Sequence, residues 1–170
     1  MTAREREQAT ESLCAHLIQL ATSLKAKSIA AYLPWTDEPD IRPFLNWADT
    51  QHIQILLPIS REDGLLDWAV GDGQNETEGL FGVPEPVGEL LGPIAINDVD
   101  LIIVPAASVD NTGMRMGWGR GYFDRTLGSM EKCPPVYAVI FDRELVESLP
   151  SELHDERVDG VVTPSAITRF

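Results

Sequence analysis

Val99–Ala107, VDLIIVPAA, decides the fold. Leu101 to Val104 are four consecutive apolar residues, so neither face of this segment suits water. Such a strand belongs in the middle of a parallel sheet covered on both sides. PVYAVIFD (135–142) has the same character, and between the two GYFDRTLGSM (121–130) reads as the start of a helix. Toward the N-terminus, KSIAAYLP (27–34) predicts a buried strand closed by Pro34, DIRPFLNWADTQ (40–51) a helix with Pro43 in its first turn, and HIQILLPIS (52–60) a second strand. Residues 3–24 carry Leu13, Leu17, Leu20 and Leu24 at helical spacing. GLLDWAV (64–70) reads as a further strand, residues 71–79 as a loop or hairpin end, and LFGVPEPVGELLGP (80–93) as an irregular crossing segment. RELVESLP (143–150) reads as a short helix and VDGVVTP (158–164) as the last strand. The alternation predicts one α/β layered domain over residues 1–170, with a mostly parallel sheet flanked by helices and ligands at the carboxyl ends of the strands.

The chain has 13 Lys and Arg against 27 Asp and Glu, a net charge of −14. Nucleic-acid affinity rests on cationic neutralisation of phosphates, so this balance argues against a nucleic-acid partner. No run approaches the length of a membrane span, and MTAREREQATES lacks the apolar stretch of a signal peptide, so the expectation is a cytoplasmic protein. Cys14 and Cys133 are far apart without C-x-x-C spacing, which predicts idle thiols.

Against that acidity, GMRMGWGRGYFDR (113–125) holds Arg115, Arg120 and Arg125, where an even spread of cations would place about one. Gly117, Gly119 and Gly121 alternate through it, a spacing that matches neither a P-loop nor a dinucleotide fingerprint. Taken alone, the glycines suit either a structural turn or a loop whose backbone N–H groups meet an anion, and the arginines favour the anion. Asp124 is either a magnesium-binding carboxylate beside a polyphosphate or a helix-start acid.

DLIIVPAASVDNTGMRMGWGRGYFDRTL (100–127) resembles the signature of the 5-formyltetrahydrofolate cyclo-ligase family, in which a strand ending in V-P precedes a loop of the form R-L-G-x-G-x-G-Y-Y-D. IAAYLPWTDEPD (29–40), FGVPEP (81–86) and LPSELHDERVDGVVTP (149–164) match further segments in order, so the resemblance covers about residues 5–165. It implies a Rossmann-like fold of the NagB/RpiA/CoA-transferase type. It also implies an ATP- and Mg2+-dependent conversion of 5-formyltetrahydrofolate to 5,10-methenyltetrahydrofolate, with release of ADP and phosphate. Phosphorylation of the formyl oxygen asks a protein for positioning and charge stabilisation rather than a covalent residue.

Residue by residue, the resemblance implies that Arg115, Met116, Gly117, Trp118, Gly119, Arg120, Gly121, Tyr122 and Phe123 form the nucleotide loop, with Arg115, Arg120 and Tyr122 nearest the chemistry. Asp124 and Asp159 match metal-associated aspartates. Leu33, Glu38, Glu85, Trp118 and Tyr122 match or adjoin folate contacts, Glu38 as acceptor for the donor edge of a pterin ring. Without the resemblance, Glu38 in DEPD reads as a solvated turn acid, Glu85 as part of a Pro-flanked turn, Tyr122 as a core aromatic and Asp159 as a turn residue. His154 beside Asp155 is not expected to form a catalytic dyad, and His16 and His52 read as structural. The family's opening basic helix, K-x-x-x-R, has no counterpart in MTAREREQATES, and Arg4 and Arg6 are not expected to replace its phosphate contacts. The expected partner is the small-molecule substrate, the chain acting as a monomer or weak homodimer. A non-catalytic folate- or nucleotide-binding homologue, or a related enzyme acting on another N-formyl or phosphorylated metabolite, remains open at this level.

Overall fold

A computed structural model describes residues 1–71, 75–118, 121–130, 134–150 and 156–170. The first helix, α1 (Ala3–Ser23), opens on a reciprocal cap. Glu5 N–H donates to Thr2 Oγ1 at 3.1 Å and Thr2 N–H donates to Glu5 Oε2 at 3.0 Å. Its stripe of Leu13, Leu17 and Leu20 is fully buried, so truncating Leu17 to Ala would cost about 2–5 kcal/mol.

The chain then forms β1 (Ser28–Ala30), α2 (Arg42–Thr50), β2 (Gln54–Ser60) and β3 (Leu66–Val70). After these come β4 (Glu76–Glu78), β5 (Pro84–Pro86), β6 (Leu90–Leu91) and β7 (Leu101–Pro105). Two short strands, β8 (Ser108–Asp110) and β9 (Arg115–Met116), precede α3 (Tyr122–Gly128). The chain closes with β10 (Val136–Val139), β11 (Leu145–Val146), β12 (Gly160–Val162) and β13 (Ile167–Arg169).

The main sheet has the order β13-β12-β10-β7-β1-β2-β3-β6. Its five middle strands, β12 through β2, run parallel; β13 and β3 pair antiparallel to β12 and β2, and β6 pairs antiparallel to β3. All five residues of β7 are buried between β1 and β10, as the apolar run predicts. Leu101 and Ile103 face a core shared with Leu13, Leu17 and Phe44 of α1 and α2. Ile102 and Val104 face a second core with Trp68, Val109 and Leu127. The period of two thus sends alternate residues of one strand into two separate cores.

Four expectations are corrected. RELVESLP is a single 3-10 turn (Asp142–Glu144) followed by β11, which pairs with β8 in a small sheet completed by β9. The arginine segment therefore does not follow β7 directly but leaves through that sheet. Residues 80–93 are not wholly irregular, since β5 pairs with β4 and β6 extends the main sheet beside β3. β12 is not the last strand, because β13 folds back against it.

Candidate active site at the carboxyl edge of the sheet

Beyond β1 the chain stays buried through Pro34 and then turns sharply. Glu38 N–H donates to Trp35 O at 3.0 Å, while Trp35 N–H donates to Glu38 Oε1 at 2.8 Å. The acid of DEPD is thereby folded back over its own turn instead of pointing into bulk water. Its carboxyl is held above the usual glutamate range, chiefly by burial. The Trp35 N–H bond, the nearby Trp118 side chain and the Arg115 charge oppose that rise, and the charge of Glu144 adds to it. A cleft of about 330 Å³ opens here, lined by Arg6, Pro34, Trp35, Glu38 and Arg42 among others.

The end of the glycine loop lines a separate cleft of about 460 Å³, with Gly121, Asp124, Arg125 and Glu156 among its walls. Arg115, at the start of β9, turns inward with only 4% of its side chain exposed. Its Nε donates to Pro105 O, the carboxyl end of β7, at 2.6 Å, and Nη1 lies 3.9 Å from Asp124 Oδ1. The guanidinium also sits over the Phe123 ring, 5.5 Å from its centroid. Burial lowers the Arg115 pKa, and the negative charges of Asp124 and Glu38 counter that effect, so the side chain stays cationic. Gly117 crosses directly over it, where a Cβ would come within 3.1 Å of Nη1. Met116 and Trp118 point outward and are 43% and 56% exposed, so the loop alternates one buried cation with open positions.

Gly121 caps α3 at φ 70°, a left-handed conformation that a side chain would strain. From there Tyr122 Oη donates to Arg61 O at 2.8 Å and Arg125 Nε donates to Gly64 O at 2.8 Å. The Arg125 guanidinium lies 5.5 Å from the centre of the Tyr122 ring. These contacts fasten the helix to the β2–β3 turn. The Tyr122 hydroxyl is therefore engaged with backbone, as a core aromatic's would be, and Arg115 and Arg125 are each bound to a backbone carbonyl.

The metal-associated pair is not brought together. Asp124 Oδ1 is buried and has no hydrogen-bond partner, an orphaned oxygen donor at the loop. Asp159 is exposed at the amino end of β12, where its carboxylate accepts the Val136 N–H at 2.8 Å. Val136 lies three residues before Val139, which pairs with Pro105, so Asp159 is set roughly 10 Å along the strands from the level of Arg115's anchor. Among the described residues no group of three or more His, Cys, Asp or Glu side chains can hold a metal. One free carboxylate oxygen suits a magnesium ion carried mainly by phosphates and water.

Leu33 is 4% exposed within the core and does not line the cleft. Glu85 Oε2 accepts the Ser60 N–H at 2.7 Å, and the carboxylate occupies the space a Cβ on Gly79 would need. His16 bonds Thr163 O at 3.1 Å, a structural contact. Gly119, Arg120, Cys133, His154 and Asp155 lie outside the described residues.

Sequence reasoning missed Arg6. Its Nη2 donates to Thr36 O at 2.6 Å and to Glu38 O at 3.3 Å. These partners stand 30 and 32 residues away, so no local pattern announces them. Glu144 was missed as well: in the segment read as a helix its carboxylate accepts the Phe141 N–H at 2.8 Å, and its charge acts on Tyr32 and Glu38.

A parallel sheet between two cores, with Glu38 lining a cleft at its carboxyl edge and the buried Arg115 guanidinium beneath the neighbouring glycine loop, is an α/β arrangement suited to a polar, partly anionic small molecule. The model of the 5-formyltetrahydrofolate cyclo-ligase family matches residues 1–164, and the chain belongs to that family of enzymes. It is 34% identical over 164 residues to a 5-formyltetrahydrofolate cyclo-ligase of Mycolicibacterium smegmatis, covering 94% of this chain and 84% of that one. Among solved structures it resembles the Aquifex aeolicus 5,10-methenyltetrahydrofolate synthetase, with a TM-score of 0.81 and 30% identity over 99% of this chain and 84% of the other. The Mycoplasma pneumoniae 5,10-methenyltetrahydrofolate synthetase, at 17% identity and TM-score 0.77, covers 96% of this chain and 90% of its own and shares the fold. Among the described residues no helix is long and apolar enough to cross a membrane.

Proposed function

We propose that residues 1–170 act as one domain that uses ATP and Mg2+ to convert 5-formyltetrahydrofolate to 5,10-methenyltetrahydrofolate, releasing ADP and phosphate. The observation that carries this reading is the meeting of two distant segments: the Trp118 side chain and the Arg115 charge, both from the glycine loop, act on the Glu38 carboxylate and favour its ionised form. The pterin ring sits beside Glu38, whose carboxylate accepts from its donor edge, and the exposed Trp118 ring offers it an apolar face.

ATP binds along residues 115–123, with backbone N–H groups near Gly117 and Gly121 facing phosphate oxygens and Arg115 beneath adding fixed positive charge. Asp124 Oδ1 is the protein's ligand for magnesium, which neutralises phosphate charge when bound. Tyr122 contributes by holding α3 in place, and Asp159 has no part in this arrangement. Placing the formyl oxygen against the terminal phosphate in a site that excludes water supplies the rate enhancement, with no covalent enzyme intermediate.

The test mixes the purified chain with 5-formyltetrahydrofolate, ATP and Mg2+ and follows absorbance of the methenyl product. Absorbance that grows only when all three are present supports the reading. A folded sample that gives no product, yet binds either ligand in calorimetry, would replace it with a non-catalytic binding protein.

A further inference from the structure

We propose that Arg6 is a positioning residue for the substrate cleft: it clamps the Trp35–Glu38 turn and so fixes where the Glu38 carboxylate and the Trp35 ring point. The inference rests on the reading that Glu38 contacts the folate.

The turn satisfies two of its groups internally, through the bonds exchanged between Trp35 and Glu38. Its remaining acceptors on this side, Thr36 O and Glu38 O, both go to Nη2 of Arg6, at 2.6 and 3.3 Å. The two N–H groups of Nη2 supply one donor for each carbonyl, and the planar guanidinium holds them in fixed directions. On the opposite flank Arg42 donates to Pro34 O at 3.3 Å while paired with Glu76 at 3.0 Å. Among the described residues the Arg6 side chain has no ion-pair partner, and the hydrogen bonds it makes go to the turn.

Its place in α1 points the same way. Arg6 stands at the end of the first turn of a helix that begins at Ala3, where the macrodipole disfavours a cation. Helix stability therefore does not account for an arginine there, whereas the contact to the turn does.

The experiment compares Arg6→Ala and Arg6→Lys with the unaltered chain by two readouts. The first is amide hydrogen exchange in the ligand-free protein. Arg6→Ala should speed exchange at Trp35–Glu38 and leave the β7 amides unchanged. The second is steady-state kinetics. Arg6→Ala should raise KM for 5-formyltetrahydrofolate about 3- to 10-fold, the loss of a partly exposed charge-assisted bond, with KM for ATP unchanged. Arg6→Lys, whose ammonium keeps the charge and the donors but not the guanidinium's planar aim, should recover part of that loss. Unchanged exchange in the turn, or equal shifts of both KM values, would overturn the proposal. Faster exchange with an unmoved folate KM would overturn it too, leaving a structural contact. Failure of the parent reading would show differently, as absence of turnover by the unaltered chain, while exchange would still report on the clamp.

Discussion

Asp124 Oδ1 lies 3.9 Å from Arg115 Nη1 and accepts no hydrogen bond, although 4% of the arginine side chain and 21% of the aspartate side chain are exposed. The pair is too long for a charge-assisted hydrogen bond, so the aspartate keeps a free oxygen while the arginine keeps its charge balanced. Replacing Arg115 with Met would strip the compensation from a largely enclosed carboxylate and cost about 2–4 kcal/mol in urea unfolding. Asp124→Asn should cost less stability and should reduce magnesium-dependent turnover. The double variant should be less destabilised than the sum of the two.

Tyr122→Phe separates a structural hydroxyl from a catalytic one. The variant loses the bond to Arg61 O and should be about 1 kcal/mol less stable, with kcat and both KM values near those of the unaltered enzyme. A large loss of kcat at retained stability would show that the hydroxyl reaches the ligand.

Burial holds Glu38 above the usual glutamate range, which sets the sign of two effects. A raised folded pKa contributes stability at pH values below the ordinary glutamate value, and that contribution is lost as pH rises through the raised value. Glu38→Gln should therefore be at least as stable at neutral pH. In turnover the ionised carboxylate is the acceptor, so kcat/KM for the folate should fall on the acid side above the usual glutamate range. The glutamine variant should lack that limb and show a raised folate KM, measured across a pH series.

Asp110 organises the approach to the glycine loop. Its Oδ1 accepts from Thr112 N–H at 2.8 Å, Thr112 Oγ1 at 2.6 Å and Met114 N–H at 3.0 Å, and its Oδ2 accepts from Leu149 N–H at 3.0 Å. Burial alone would raise this carboxyl, but these donors bring it below the usual aspartate range. Stability from a lowered carboxyl is present above the unfolded value, about 3.9, and disappears as pH falls through the folded one. Asp110→Asn should lose about 2 kcal/mol at neutral pH, and the gap to the unaltered chain should close in acid, as urea midpoints at several pH values would show.

Much of this architecture was legible because the informative signals are local. The leucine spacing of α1 and the unbroken apolar run of β7 each state their burial within a few residues. The small sheet of β8, β9 and β11 was not legible: its strands have two or three residues, and β11 pairs with β8 across 36 positions (Leu145 with Val109). In RELVESLP the apolar Leu145, Val146 and Leu149 fit a helical face, although only Leu145 and Val146 join a strand. Within the site, the family resemblance marked Glu38 and Arg115, but nothing in the sequence signalled that Arg115 would be buried beneath Gly117. Arg6 carried no local signal, because its partners come from the turn after β1.

The most direct test of the account is a crystal structure of the chain with 5-formyltetrahydrofolate, a non-hydrolysable ATP analogue and Mg2+. The account expects the pteridine against Glu38 and Trp118, the phosphates along residues 115–121 above Arg115, and magnesium between Asp124 and the phosphate oxygens. A nucleotide bound elsewhere, with Arg115 and Asp124 unchanged beneath an empty loop, would contradict it.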